Sequence, residues 1–328
     1  MQSRHSVASL SFIGPLFGLL IAIGMTAWTP PAFATGLRVV TTTGMIGDTA
    51  RLIAGDRAEV TVLMGPGVDP HGYRQTQSDI ATLARADLVL WHGLYLEAQL
   101  EDFLAQLSAR VPVIAVGEAV PPAQLLAHDD YQDRFDPHVW MDPALWKPVT
   151  TAIAAALSER DPVGADEYTA RAEAYLAELS AARADAVARL GTIDPAARVL
   201  ISAHDAFGYF GQAYGFEVLG IQGISTESEA GLKRIEELVD LLVTRGIGAV
   251  FVESSVSDRN VRALIEGAAA QGHTVQIGGE LFSDAMGAAG TYEGTYLGMI
   301  DHNVTVITRA LGGESPATGR LGRLGAGQ

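Results

Sequence analysis

Three histidines and one acid hold the most specific chemistry in this chain. His71 stands in GVDPH, His138 in FDPH, His204 in SAHDAFGYF and Asp284 in LFSDAMG. Each lies on a loop after a candidate strand or in an ordered Asp-Pro turn, so four distant segments can converge on one metal ion. Imidazole nitrogen with carboxylate oxygen suits a borderline cation such as Zn²⁺, and also accepts Mn²⁺, Co²⁺ or Ni²⁺. A polar side chain at the carboxyl end of a buried strand is where open parallel sheets place ligands. Taken alone, a histidine near a strand end is more often a hydrogen-bonded structural or solvent-facing residue than a ligand. It is the shared setting that points to a site.

The other histidines lack that setting. His5 lies near the start, His128 in a loop and His273 beside a strand start, while His92 ends a strand and His302 falls in the last helix. His92 and His302 are the weaker candidates. Asp69, Asp136, Asp205 and Glu253 are polar groups near the candidate loops that can fix imidazole tautomers. Asp69 and Asp136 suit turn capping equally well. Trp140, Phe207, Tyr209 and Phe210 flank two of the candidates, either as a shield from water or as ordinary core.

A catalytic metal keeps a position open for water, whereas four protein ligands close a tetrahedral site. The chain has no HExxH, no GxSxG elbow and no phosphate-binding glycine loop. Binding without catalysis is the expectation. A secreted metallohydrolase and an exported metal-binding adhesion or chaperone protein stay open as alternatives. With 38 acidic against 22 basic residues the formal charge is −16. That argues against a nucleic-acid partner and is compatible with attracting cations.

The elements that must position these residues alternate regularly. LRVVTTT (37–43), AEVTVLM (58–64), ADLVLWHG and VPVIAVG read as strands separated by helical stretches, with Ser78 as the N-cap of QSDIATLARA. A helix from about Lys147 to Arg160 closes this half. Asp161-Pro162 then opens an alanine-rich stretch whose apolar positions, among them Tyr168, Ala172, Tyr175, Leu176, Leu179, Ala186, Val187 and Leu190, keep helical spacing. Such a helix runs about 40 Å. It suits either a backbone spanning two lobes or a long crossover inside one domain. ARVLIS, FEVLGI, AVFVES and TVQIG repeat the strand rhythm beyond it, and TYEGTYLGMIDHNVTVITRAL reads as the last helix. The pattern predicts an α/β fold with parallel sheets.

The first residues combine Arg4, a long apolar run and Ala32-Phe33-Ala34, the pattern of a secretory signal peptide cut near Ala34. The expected organisation is a signal peptide over 1–34, a first lobe over 35–160, a linking helix over 161–191, a second lobe over 192–312 and a flexible glycine-rich tail over 313–328. Cysteine is absent, which rules out thiolate metal ligands and a lipid anchor on cysteine. The free periplasm is the expected compartment.

The runs TTTGMIGD, LMGPGVDPH, FDPHVW, SAHDAFGYF, YGFEV, FVESS and IGGELFSDAMG together resemble the cluster A-I metal-binding receptors of bacterial ABC importers, most closely the TroA-like zinc/manganese subgroup. The resemblance covers essentially the whole chain after the signal segment. It implies two lobes, each a parallel sheet flanked by helices, joined by one long rigid backbone helix. It also implies His71, His138, His204 and Asp284 as the metal ligands, and no catalytic residues. The implied partners are a cognate permease in the inner membrane and, indirectly, its cytoplasmic ATPase, served by a monomeric receptor. In that family a glutamate at the third ligand position marks manganese-restricted members. His204 therefore favours zinc, with manganese as the alternative. Dedicated zinc receptors often have a histidine-rich loop between the first two ligands, and residues 117–137 contain only His128.

Overall fold

A computed structural model describes residues 36–128 and 132–325; the expected signal segment lies outside them. The first half holds β1 (Leu37–Thr41), α1 (Gly44–Ala54), β2 (Ala58–Val62), α2 (Gln77–Leu83), β3 (Leu88–Trp91), α3 (Glu101–Leu107), β4 (Val113–Ala115) and α4 (Pro143–Arg160). Its strands form one parallel sheet in the order β2-β1-β3-β4. Val39, Val40, Leu88, Val89 and Leu90 of the two central strands are buried, as strands covered on both faces must be.

Then come α5 (Ala165–Leu190), β5 (Val199–Ser202), α6 (Gly208–Tyr214), β6 (Glu217–Gly220), α7 (Leu232–Arg245), β7 (Ala249–Glu253), α8 (Arg259–Ala270), β8 (Gln276–Leu281) and α9 (Tyr296–Ala310). The strands pair in parallel as β5-β6 and β7-β8, and β5 lies beside β7. The fold is α/β with parallel sheets flanked by helices, as the alternation predicts.

Local chemistry moves some boundaries. Thr76, not Ser78, caps α2: its Oγ1 accepts the Asp79 N–H at 3.2 Å while Asp79 Oδ2 accepts the Thr76 N–H at 2.7 Å. This reciprocal box needs an acid three residues after the cap, which Ser78 lacks. Helix α4 starts at Pro143 rather than near Lys147, because Asp142 accepts the Ala144 N–H at 2.9 Å and Pro143 takes the first helical position.

The 26-residue α5 buries Tyr168, Ala172, Tyr175, Leu179, Ala182, Ala186 and Leu190 against α1 and α4 of the first half and α9 of the second. Val187 departs from the expected stripe and is 47% exposed. Residues 313–325 also depart from the frayed tail expected of their composition. The Glu314 N–H donates to Thr192 Oγ1 at 2.7 Å, and the Arg320 N–H lies 2.9 Å from both oxygens of Asp301. Arg323 covers the Tyr292 ring at 4.4 Å. The buried Asp301 carboxylate gives the backbone of this glycine-rich segment a fixed acceptor. No helix among the described residues is long and apolar enough to cross a membrane.

Candidate metal centre

The four residues singled out in sequence meet at the carboxyl ends of the strands. One ligand atom from each of His71, His138, His204 and Asp284 lies within 4.8 Å of all the others. His71 Nε2 stands 3.3 Å from His138 Nε2 and 3.8 Å from Asp284 Oδ2. His138 Nε2 is 3.3 Å from Asp284 Oδ1, and His204 Nε2 is 3.2 Å from Asp284 Oδ2. Bond lengths of about 2.0–2.1 Å in a tetrahedral zinc site imply ligand-to-ligand edges of about 3.3–3.4 Å. Three of these four separations are close to that spacing, and the His71–Asp284 one is wider.

Carboxylates aim two of the three imidazoles and fix the backbone of the third. Asp136 Oδ1 accepts both the His138 N–H, at 2.9 Å, and Nδ1, at 2.7 Å. Glu253 does the same for His204 from 49 residues away, taking its N–H on Oε1 at 2.9 Å and Nδ1 on Oε2 at 2.5 Å. With Nδ1 as donor to a carboxylate, Nε2 presents its lone pair to the site. Asp69 Oδ1 accepts the His71 N–H at 2.9 Å, and its other oxygen accepts the hydroxyl of Thr226 at 2.5 Å. The Asp205 N–H donates to the Gly223 carbonyl.

All four residues are buried, His138 and His204 completely. His204 Nε2 and both oxygens of Asp284 have no hydrogen-bond partner in spite of that burial. Buried polar atoms without partners are costly and need a reason. A cation shared among them supplies one.

The electrostatics fit. Burial works to lower the His138 pKa, but Asp136 and Asp284 outweigh it and raise it to about 9. Burial opposes the charge on His204 too, and Asp284 and Glu253 overcome it, holding that imidazole well above its ordinary range. Burial pushes Asp284 up, yet His204 and His138 hold it well below the usual carboxylate range. Burial lowers His71 to about 3. His138 therefore carries a proton at neutral pH, and His204 is shifted in the same direction. A cation bound by the same nitrogens would displace protons held there.

Of the aromatic residues, Trp140 lies against the site, its ring 5.1 Å from that of His138. Tyr209 reaches the turn from behind, its hydroxyl donating to the Asp136 carbonyl at 2.7 Å. Phe207 and Phe210 pack into the core beside Tyr214 and Phe216. His92, His273 and His302 lie outside the cluster, with Nε2 on the carbonyls of Pro137, Ile247 and Glu280. Sequence reasoning missed Thr226, Tyr296 and Ser283. Trp140 Nε1 donates to the Ser283 carbonyl at 2.8 Å, and the Tyr296 hydroxyl donates to the Trp140 carbonyl at 2.8 Å. No local motif announces such long-range contacts to backbone oxygen.

The chain is similar in sequence and shape to known metal-binding proteins. The manganese-binding lipoprotein MntA of Bacillus subtilis is 47% identical over 275 residues, 84% of this chain and 90% of that protein. The zinc-binding protein TroA of Treponema pallidum is 46% identical over 273 residues, 83% of this chain and 88% of that one. The solved structure of the periplasmic zinc-binding protein TroA from Treponema pallidum superposes with a TM-score of 0.82 at 45% identity, covering 84% of this chain and 99% of its own. Residues 39–310 match the family described as the periplasmic component A of the zinc-uptake complex, and the chain belongs to that family.

Proposed function

We propose that this protein is an extracytoplasmic receptor that binds a divalent transition metal, zinc or manganese, and delivers it to an ABC importer. The observation that carries the reading is the convergence of His71, His138, His204 and Asp284, with His204 Nε2 and both Asp284 oxygens buried and unpartnered. Those four residues are the ligands in this reading. The metal is cargo, and no residue is assigned a catalytic step.

The signal segment 1–34 directs export to the periplasm. The first lobe (35–160) supplies His71 and His138, the second (192–312) supplies His204 and Asp284, and the linking helix (161–191) carries both. The receptor acts as a monomer and docks on a cognate permease, with the ATPase acting through that permease. Zinc is the favoured cargo, on the softness of three imidazoles. Manganese is the alternative, supported by two free Asp284 oxygens, which let four residues offer five donor atoms.

The test is metal analysis of the protein purified from its host, followed by chelator competition with Zn²⁺ and Mn²⁺. His204→Ala should weaken binding at least about 100-fold, the upper range for losing even an outer partner of a ligand. Unchanged affinity in that variant would overturn the assignment. Rescue of a deletion strain by zinc or by manganese then identifies the cargo.

A further inference from the structure

His92 is fully buried behind the candidate site and is none of its ligands. Its Nε2 lies 2.7 Å from the carbonyl oxygen of Pro137, the residue between Asp136 and His138. Burial lowers the His92 pKa to about 3, so the ring is neutral and has a single N–H. A carbonyl can only accept, which assigns that proton to Nε2. Nδ1 is left buried without a partner. The ring stands edge-on to Trp140 at 5.0 Å and parallel to Trp146 at 6.4 Å.

The backbone holding this ring is itself clamped. Glu97 Oε1 accepts the His92 N–H at 2.8 Å and the Thr42 hydroxyl at 2.6 Å, and Oε2 accepts the Gly93 N–H at 3.1 Å. Gly93, Leu94 and Tyr95 follow with φ of 76°, 54° and 68°, a run that residues with a Cβ rarely adopt. A buried acid therefore holds a strained turn, and that turn fixes where His92 stands.

The bond to Pro137 is not needed to satisfy that carbonyl, which already accepts the Val139 N–H at 2.7 Å. An apolar side chain could pack against both tryptophans without burying a lone nitrogen. What histidine adds is a directed donor on the peptide that carries His138.

We propose that His92 is a positioning residue for metal binding: through the Pro137 carbonyl it fixes the Asp136–Pro137–His138 turn so that His138 Nε2 faces Asp284. This rests on the reading of the four residues as a metal site.

Three variants of the full chain test it with Co²⁺ as the probe. His92→Gln can place an amide N–H near the position of Nε2, His92→Asn reaches only as far as Nδ1, and His92→Leu has no donor. Affinity by chelator competition, the visible absorption of bound Co²⁺ and metal-free thermal unfolding are measured for each. His92→Leu and His92→Asn should bind about 10–100-fold more weakly and alter the Co²⁺ absorption, and His92→Gln should restore most of both. Should His92→Leu not fold, the Asn–Gln comparison decides. Wild-type binding by the Leu and Asn variants overturns the proposal. So does equal weakening in all three, or lowered unfolding temperature with an unchanged spectrum. His204→Ala separates the two ideas: if it binds like the parent, the metal-site reading falls and takes this role of His92 with it. If it loses Co²⁺ while the His92 variants do not, only the positioning role falls.

Discussion

The indole N–H of Trp140 donates to the backbone carbonyl of Ser283 at 2.8 Å, across 143 residues of chain. Trp140 is two residues beyond His138, and Ser283 immediately precedes Asp284. One neutral hydrogen bond thus joins the loops of two candidate ligands that come from opposite halves of the chain. The Trp140 carbonyl accepts from Tyr296, whose own N–H donates to Asp48 at 2.9 Å. The second half is tied back to α1 by this route.

Trp140→Phe removes the donor and keeps most of the ring. A net hydrogen bond contributes about 0.5–1.5 kcal/mol, so metal affinity should fall about 2- to 13-fold. Competition with a chelator of known affinity reads this directly. Affinity equal to the parent would show that the Asp284 loop is held without the indole.

Much of this arrangement was legible because its signals are local. The strand–helix alternation follows from short β-rich runs between amphipathic stretches, and Asp-Pro turns mark His71 and His138 within three residues. His204 is visible as an imidazole just past the strand β5. The carboxylates that aim the rings divide by distance along the chain. Asp136 is two residues from its histidine and is readable, whereas Glu253 becomes the partner of His204 only when β7 lies beside β5. The same limit explains the tail. Glycine content predicts fraying, but the Arg320 N–H meets the Asp301 carboxylate 19 residues back, and no composition rule foresees that contact. His92 was visible as a strand-end histidine, yet its link to Pro137 spans 45 residues.

The Arg189–Asp301 pair should govern stability and leave binding intact. Arg189 Nη2 lies 2.7 Å from Asp301 Oδ1, with side-chain exposures of 9% and 2%. Arg189 also donates to Thr305 and Ser315, so α5, α9 and the terminal segment meet on one guanidinium. Removing one member of a buried pair costs about 3–5 kcal/mol because the other charge is left stranded. Arg189→Met should lower the unfolding midpoint accordingly and open residues 313–325 to proteolysis, at near-parental metal affinity. A variant as stable as the parent would refute the anchoring role.

Metal binding should release protons. In the metal-free pocket His138, raised to about 9, is protonated at pH 7, and Asp284 and Glu253 push His204 in the same direction. His71, lowered to about 3, is already neutral. Binding one divalent cation must therefore expel at least about one proton, and affinity should fall at least roughly 10-fold for each unit of acidification near neutrality. A weakly buffered titration followed by a pH electrode counts them. Affinity that does not vary with pH would exclude an imidazolium at His138 in the metal-free state.

The same groups set opposite pH limits on the metal-free fold. His138 has a folded pKa of about 9 against an unfolded value near 6.5, so the folded state holds the extra proton between them. Its stabilisation, of the order of 3 kcal/mol, is complete below about pH 6.5 and lost as pH rises through 9. His204 acts in the same direction. His71 and His92, both lowered to about 3, act the other way: the unfolded chain binds their protons first, so stability falls as pH drops below about 6.5. Metal-free stability should therefore peak near pH 6.5. Saturating Zn²⁺ should remove the alkaline decline, because the ion takes the place of the proton on His138. Urea midpoints between about pH 5 and 9, with and without Zn²⁺, provide the comparison. A metal-free midpoint that rises from pH 6.5 to 9 would show that the folded chain does not hold these protons.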